Sequence, residues 1–219
     1  MNLLQVCKEV EELNPLVKAL YEMAVCEIIQ LGVDPCLVET YRPQERQNYL
    51  YCQGRMIEEC TKKGINKEFA LKHANKIVNP VTWTLNSIHS KRKAVDLVPK
   101  RVVNDKMTAI WNAQDKQTQI IIKTMEKYGF EAGANWPVNM DSPHFQMDGN
   151  FDSVFMQNKN TKYITKVIQK ALNKKINTTL KIDGIWGSKT TVAVNKFREI
   201  NGWVQNGKLG VTALKILLS

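Results

Sequence analysis

The 219-residue chain lacks several features that define large classes of proteins. No apolar stretch approaches the roughly 18 residues of a membrane-spanning helix. The N-terminal segment has no basic start, and Lys8 and Glu9 interrupt its apolar residues, so it does not resemble a signal peptide. The five cysteines lie in the first 60 residues, are odd in number and contain no Cys-x-x-Cys pair. We therefore expect synthesis as a cytosolic chain and reduced, mostly buried thiols rather than a disulfide framework or thiolate zinc site.

Acidic residues are scarce at the C-terminal end. Residues 160–219 contain eleven Lys and Arg but only Asp183 and Glu199 as acids, so they carry a net charge of +9. Residues 1–159 carry only +1 of the total of +10. A near-neutral body joined to a basic tail indicates that the tail meets an anionic polymer or surface, and nucleic acid, lipid headgroups and cell-wall polymer all remain open.

Hydrophobic residues make up 43% of the chain and charged residues 24%, as in an ordinary globular protein. Asn14 and Pro15 predict the start of a helix, and Gly32 predicts its end. Short strand patterns lie among several helical ones, which indicates an α+β fold. The predicted helices cover about 14–31, 44–60, 67–77 and 107–128, and the predicted strands lie within about 33–41, 95–98 and 145–147.

Histidine is rare, and two of the three histidines lie in polar motifs. His89 precedes Asp96 by seven residues, and His144 follows Asp141 by three. Imidazole and carboxylate are both zinc ligands, and catalytic zinc sites combine three protein ligands with an open position for water. On spacing alone the pattern is weak, because these residues can equally be structural histidines and a turn-capping aspartate. The third histidine, His73, has no partner at ligand spacing.

Four separated motifs together resemble one known family. They are Ser-x-His-(x)6-Asp at residues 87–96, Asp-Ser-Pro-His at 141–144, the stretch Thr40-Tyr41-Arg42-Pro43 followed by Gln53-Gly54-Arg55, and the Gly- and Trp-containing segment 128–136. Along the chain, the four motifs follow one another as similar motifs do in the VanY/VanX-like family of zinc D,D-carboxypeptidases and L-alanyl-D-glutamate peptidases. This family includes many phage endolysins. The resemblance covers about residues 3–147.

The resemblance implies a fold and a set of roles. Helices would pack on a small antiparallel sheet, and His89, Asp96 and His144 would bind Zn²⁺. Asp141 would act as the general base, and Arg42 would stabilise the negative oxygen that forms during hydrolysis. Ser87 and Tyr41 would line the substrate cleft. Arg42 could instead form an ordinary surface salt bridge.

Arg92 departs from the family pattern, which usually has glycine three residues after the first histidine. We expect the loop to differ locally, because glycine adopts unusual backbone conformations more easily than arginine does. Lys91, Arg92 and Lys93 form a basic run that could be a solvated face, a nucleic-acid patch or an attractor of peptide carboxylates.

The C-terminal region resembles a second family, the three-helix peptidoglycan-binding domain. Its predicted turns are related to each other, with Asp183-Gly184 before Thr190 and Asn206-Gly207 before Thr212. We therefore predict a peptidase domain over 1–150, a linker over 151–161 and a small all-α peptidoglycan-binding domain over 162–219.

The two resemblances together predict a phage-type endolysin. It would hydrolyse the L-alanyl-D-glutamate bond of the peptidoglycan stem peptide, act on the cell wall after release by a holin, and lyse the bacterium as a monomer. The alternatives are a D-Ala-D-Ala carboxypeptidase and a binding-only cell-wall protein. A nucleic-acid partner is not expected, since no RNA-binding aromatic motif, zinc knuckle or dense arginine run is present. A weaker interaction with an anionic membrane surface remains open.

Overall fold

The computed structural model describes residues 5–147 and 161–219 and has an α+β fold, as predicted. Its helices are α1 (Pro15–Gln30), α2 (Gln44–Cys52), α3 (Ile57–Lys62), α4 (Lys67–His73), α5 (Lys116–Lys127), α6 (Thr161–Ile176), α7 (Ser188–Ile200) and α8 (Val211–Leu218). Its strands are β1 (Pro35–Glu39), β2 (Ala94–Val103), β3 (Lys106–Ala109), β4 (Glu131–Ala132) and β5 (His144–Gln146).

The strands form a small antiparallel sheet in the order β1-β2-β5-β4, and β3 pairs with the far end of β2. The register brings polar residues together across three neighbouring strands. Asp96 on β2 lies opposite Glu39 on β1 and opposite His144 on β5. Residues paired across antiparallel strands have closely spaced Cβ atoms, so the register alone brings these three side chains into one region.

The first predicted helix is confirmed. The Oδ1 atom of Asn14 accepts a hydrogen bond from the backbone N–H of Leu16, and Pro15 occupies the first turn, where a missing N–H costs nothing. Gly32 follows the helix with a φ of 79°, a conformation that glycine adopts at low cost. The apolar face of α1 is buried in the core, and α1 packs against α5.

Three predicted helices are wrong in part. The helix expected over 44–60 is two helices, since the chain turns at Gly54 with a φ of 76°. The helix expected over 67–77 ends at His73.

The helix expected over 107–128 begins only at Lys116. The carboxylate of Asp115 accepts hydrogen bonds from two backbone N–H groups of the first turn and so marks the start of the helix. Residues 106–109 instead form β3, which is joined to β2 through Asn104 and Asp105, both in left-handed conformations. Helical spacing of a few apolar residues could not distinguish this hairpin from a helix.

The C-terminal helices α6, α7 and α8 share the hydrophobic core of the rest of the chain. Helix α1 packs against α6 and α8, and the rings of Tyr128 and Tyr163 lie 4.4 Å apart between centroids. Both predicted turns are present, because Asp183 and Asn206 each accept a hydrogen bond from the backbone N–H two residues on. Residues 151–160 of the predicted linker lie outside the described residues, and residue 161 already belongs to α6. The division into domains stays a prediction.

None of the helices in the described ranges is long and apolar enough to cross a membrane. All five cysteines are free thiols, of which Cys52 and Cys60 are buried and Cys26 is exposed.

Candidate active site

Three side chains from different elements converge at one point. His89 begins a short 3-10 helix before β2, Asp96 lies within β2, and His144 begins β5. The Nε2 atom of His89 lies 3.1 Å from Oδ1 of Asp96 and 3.2 Å from Nδ1 of His144, and the third distance, from His144 Nδ1 to Asp96 Oδ1, is 3.1 Å. These atoms form a nearly equilateral triangle of ligand atoms.

The other nitrogen of each imidazole has a partner that determines the tautomer. Nδ1 of His89 lies 2.6 Å from the carbonyl oxygen of Thr40, which can only accept a hydrogen bond. Nε2 of His144 lies 3.1 Å from Oε1 of Gln146, whose amide nitrogen donates in turn to Glu131. Each outer nitrogen therefore carries the proton, and the inner nitrogens direct lone pairs toward Asp96.

This arrangement suits a cation. When both imidazoles are neutral, two nitrogen lone pairs and a carboxylate oxygen face one another with no hydrogen between them. Three electron-pair donors at this spacing can be held together by a cation. A four-coordinate ion with bonds of about 2.0–2.1 Å holds its ligand atoms about 3.3 Å apart, close to the distances here. Within the described residues, His89, Asp96 and His144 form a group that could hold a metal ion. The hydrogen bonds to Thr40 and Gln146 are the outer contacts that orient metal-binding histidines.

Without a metal ion, ionisation of Asp96 and protonation of the imidazoles favour each other. Burial alone would raise the pKa of Asp96, but the two imidazoles hold it well below its usual range. Burial alone would lower the pKa of His144, but the hydrogen bond and charge of Asp96 raise it. Asp96 is therefore a carboxylate at neutral pH, as a metal ligand must be.

Arg42 lies beside this cluster and is largely buried. Its Nε and Nη2 atoms donate to Oε2 of Glu39, its Nη1 donates to Gln47 at 3.0 Å, and its Nη2 lies 3.5 Å from the outer oxygen of Asp96. The contacts with Glu39 and Gln47 are hydrogen bonds, the contact with Asp96 is an ion pair, and Arg42 lines the cleft that contains the cluster. Arg42 thus forms a salt bridge with Glu39, but in a largely buried position at the cleft rather than on the open surface.

Asp141 lines the same cleft. Withdrawal from bulk water raises its pKa, and the negative charge of Asp96 raises it further. Its segment is held by Gly133, whose carbonyl oxygen accepts a hydrogen bond from the backbone N–H of Asp141 at 3.0 Å. A Cβ atom at Gly133 would lie 2.6 Å from the carbonyl oxygen of Asp141 and 3.1 Å from Cβ of His144, so only glycine fits there.

The cleft has a volume of about 510 Å³ and is lined from two sides. Ser87 is buried and contributes to the lining, whereas Tyr41 is not among the lining residues in the described part of the chain. The ring of Tyr41 instead lies 4.0 Å from the guanidinium of Arg92. His73 lies outside the cleft and packs against Phe69.

Arg92 adopts a left-handed conformation, with a φ of 62° and a ψ of 28°, which glycine adopts more easily than arginine does. Arg92 pairs with Glu12 and stacks on Tyr41, contacts that a glycine could not make.

Several supporting residues were not singled out from the sequence. Glu39 and Gln47 hold Arg42, and Gln146 and Thr40 orient the two histidines. Glu39 directly precedes the Thr40–Pro43 motif, Gln47 follows it by four residues and Gln146 follows His144 by two, so proximity in sequence was the available signal. The carbonyl of Thr40 carries no such signal, because any residue has one.

A match to a known protein family covers this site. Residues 81–147 match a protein family described as D-alanyl-D-alanine carboxypeptidase, a range that contains His89, Asp96, Asp141 and His144. The match supports a metallopeptidase. A crystal structure of the Serratia marcescens L-Ala D-Glu endopeptidase ChiX is similar over 64% of this chain and 83% of that one, with 19% sequence identity and a TM-score of 0.38.

Proposed function

We propose that the protein is a zinc peptidase that hydrolyses the L-alanyl-D-glutamate bond of the peptidoglycan stem peptide. The observation that carries the proposal is the triangle of His89, Asp96 and His144, with both imidazole lone pairs directed inward. Two nitrogens and one carboxylate oxygen form a ligand set typical of catalytic zinc, which leaves a fourth position for water. The sequence motifs that include Arg42 and Gln53-Gly54-Arg55 favour the L-alanyl-D-glutamate branch.

The chemistry follows from the groups around the cleft. When bound, zinc polarises the scissile carbonyl and lowers the pKa of water. Asp141, whose raised pKa makes it a better proton acceptor than an ordinary aspartate, takes a proton from the attacking water and gives it to the leaving amine. Arg42, which lines the cleft, donates a hydrogen bond to the carbonyl oxygen as negative charge develops there. Glu39 and Gln47 hold the guanidinium in place for this role.

The test compares His144→Ala and Asp141→Ala with His73→Ala, a control at the histidine outside the cleft. The assay follows release of new amino termini from purified peptidoglycan. We expect both cleft variants to lose activity and His73→Ala to retain it. Full activity of either cleft variant would contradict the mechanism.

D-Ala-D-Ala carboxypeptidase activity is the second candidate, and the description of the matching family favours it. Mass spectrometry of digested peptidoglycan distinguishes the two bonds, since one reaction exposes the amino group of D-glutamate and the other releases free D-alanine. Metal analysis of the purified protein addresses the binding-only alternative, because a decayed site would not retain zinc.

We further propose that the protein acts on the cell wall as an endolysin and that its basic C-terminal helices bind peptidoglycan. The net charge of +9 over residues 160–219 suits an anionic wall polymer and also permits weaker binding to an anionic membrane face. Binding of the Asp141→Ala protein to purified wall should weaken steeply as salt is raised. Binding that is insensitive to salt would indicate that recognition depends on shape rather than charge.

A further inference from the structure

Trp83 is a large aromatic side chain held in an exposed position at the cleft. It is 61% exposed, and Val81, two residues earlier, is similarly exposed. Both residues line the cleft that contains Arg42, Asp141 and the His-Asp-His cluster. Exposure of a tryptophan leaves a large apolar surface in water, so a ring held in this position beside a candidate active site points to a binding role.

Three consecutive motif residues hold the segment that carries Trp83. Gln53 donates to the carbonyl oxygen of His73, and Gly54 donates its backbone N–H to Asn75 at 2.8 Å. A Cβ atom at Gly54 would lie 2.2 Å from the backbone nitrogen of Pro80, so the glycine permits the close approach of this segment.

Arg55 completes the support. It is buried, and its guanidinium donates to the carbonyl oxygens of Tyr51 and Thr82 at 2.6 and 2.8 Å. The same guanidinium lies 3.9 Å from the ring centroid of Tyr51 and 5.6 Å from that of Trp83. Residues of α2 hold the next part of the segment, since Gln47 donates to the carbonyl oxygen of Thr84. These groups do not contact the metal cluster. They fix the backbone of the segment that forms this wall of the cleft.

The surroundings of Trp83 combine apolar and polar groups. Thr82, Thr84 and Asn86 line the cleft on either side of the ring. A pyranose ring matches such a surface, because its axial C–H bonds form an apolar face that stacks on an aromatic ring while its hydroxyl edge meets hydroxyl and amide groups. A purely aliphatic ligand would not use the polar neighbours.

The proposed substrate brings a sugar to this place. In peptidoglycan, the amino group of the first stem residue is joined through a lactyl group to N-acetylmuramic acid. One residue spans at most about 3.3–3.6 Å, so a stem peptide whose first peptide bond lies at the metal cluster has a sugar ring within a few such lengths. Trp83 and the His-Asp-His cluster line the same cleft, so one ligand can contact both.

We propose that Trp83 stacks on the N-acetylmuramic acid ring attached to the stem peptide, so that the protein prefers glycan-linked peptide over free peptide. This inference rests on the proposed function. Trp83 thereby contributes to substrate choice and takes no part in proton transfer.

The experiment measures kcat/KM of the zinc-loaded, full-length protein on a muramyl tetrapeptide and on the same tetrapeptide without the sugar. The variants are Trp83→Ala, Trp83→Phe and the control Trp111→Ala, at a tryptophan that is 54% exposed and is not among the cleft-lining residues of the described chain. We expect Trp83→Ala to lower kcat/KM on the muramyl peptide by about tenfold and to leave the free peptide unchanged. Trp83→Phe should restore part of the loss, and Trp111→Ala should change neither substrate.

A second measurement is independent of turnover. Equilibrium binding of both ligands to Asp141→Asn and to the double variant Asp141→Asn, Trp83→Ala should show the same loss for the muramyl peptide alone. An equal loss for both ligands, or no loss for either, would overturn the inference while leaving the proposed function intact. Failure of the unmodified protein to cleave either peptide would instead contradict the proposed function and the inference with it.

Discussion

Glu39 accepts hydrogen bonds from both Nε and Nη2 of Arg42, three residues farther along the chain. Its other carboxylate oxygen accepts a hydrogen bond from Arg46 at 3.0 Å, and Glu39 itself is 4% exposed. One buried carboxylate therefore balances two largely buried guanidinium groups. Nη2 of Arg42 also lies 3.5 Å from Oδ2 of Asp96, so the guanidinium is held beside the candidate metal site.

Replacement of Glu39 by Gln should therefore affect both stability and activity. The amide keeps the size of the side chain but removes the charge that offsets Arg42 and Arg46, and breaking a buried ion pair in this way costs about 3 kcal/mol. Urea unfolding should show this loss, and kcat on purified peptidoglycan should fall because Arg42 is no longer oriented. Glu45→Gln, at an exposed position of α2, is the control and should behave as the unmodified protein. Equal unfolding midpoints for the two variants would contradict the structural role of Glu39.

Gln146→Leu should weaken metal binding without unfolding the protein. The leucine cannot accept the hydrogen bond from Nε2 of His144, so the imidazole loses the contact that directs Nδ1 toward Asp96. Loss of such an outer contact typically reduces metal affinity about 10- to 100-fold. Competition with a chromogenic chelator measures the affinity, and Gln114→Leu on the exposed surface serves as the control. An unchanged zinc affinity would show that Gln146 does not orient the histidine.

Gly133→Ala should disturb the segment that carries Asp141 and His144. The new methyl group would lie 2.6 Å from the carbonyl oxygen of Asp141, so the segment must shift. We expect a loss of stability of about 1–3 kcal/mol together with reduced activity. Gly187→Ala is the matched control, because no atom lies within 4 Å of a Cβ built there. Thermal unfolding of both variants tests the prediction, which fails if they are equally stable.

Arg92 allows a test of the cost of a left-handed arginine. Arg92→Ala and Arg92→Gly both remove the contacts to Glu12 and Tyr41, but only the alanine keeps a Cβ atom at a φ of 62°. The alanine variant should therefore be less stable than the glycine variant by about 1 kcal/mol. Denaturant unfolding of both proteins provides the comparison, and the opposite order would mean that the loop relaxes to another conformation.

The sequence could predict the α+β class, the first helix and the three side chains that meet at the candidate metal site. Capping residues and apolar spacing were sufficient for the helix, whereas the three side chains were identified through a family resemblance, because their spacing alone is a weak pattern. The separation of 55 residues between His89 and His144 carries no such information, and only the pairing of β2 with β5 brings them together.

Two other features were not recognised from the sequence. The hairpin of β2 and β3 replaces a predicted helical turn because Asn104 and Asp105 form a left-handed turn and Asp115 delays the helix. The orientation of His89 depends on the carbonyl oxygen of Thr40, 49 positions earlier. The turn and the helix cap are local signals that the apolar spacing outweighed, whereas the contact of His89 with Thr40 required the tertiary fold.

Strand β5 is only three residues long and lies between β2 and the two-residue strand β4. A metal ion held by both Asp96 and His144 would cross-link β2 to β5 at the position where the two residues are paired. Local opening of the sheet at this edge would then require release of the ion, so its free energy would grow with metal concentration. Amide hydrogen exchange along residues 144–146 would consequently slow as zinc is added. Catalytic activity and the free energy of opening this edge of the sheet would both increase with the fraction of protein that holds the ion.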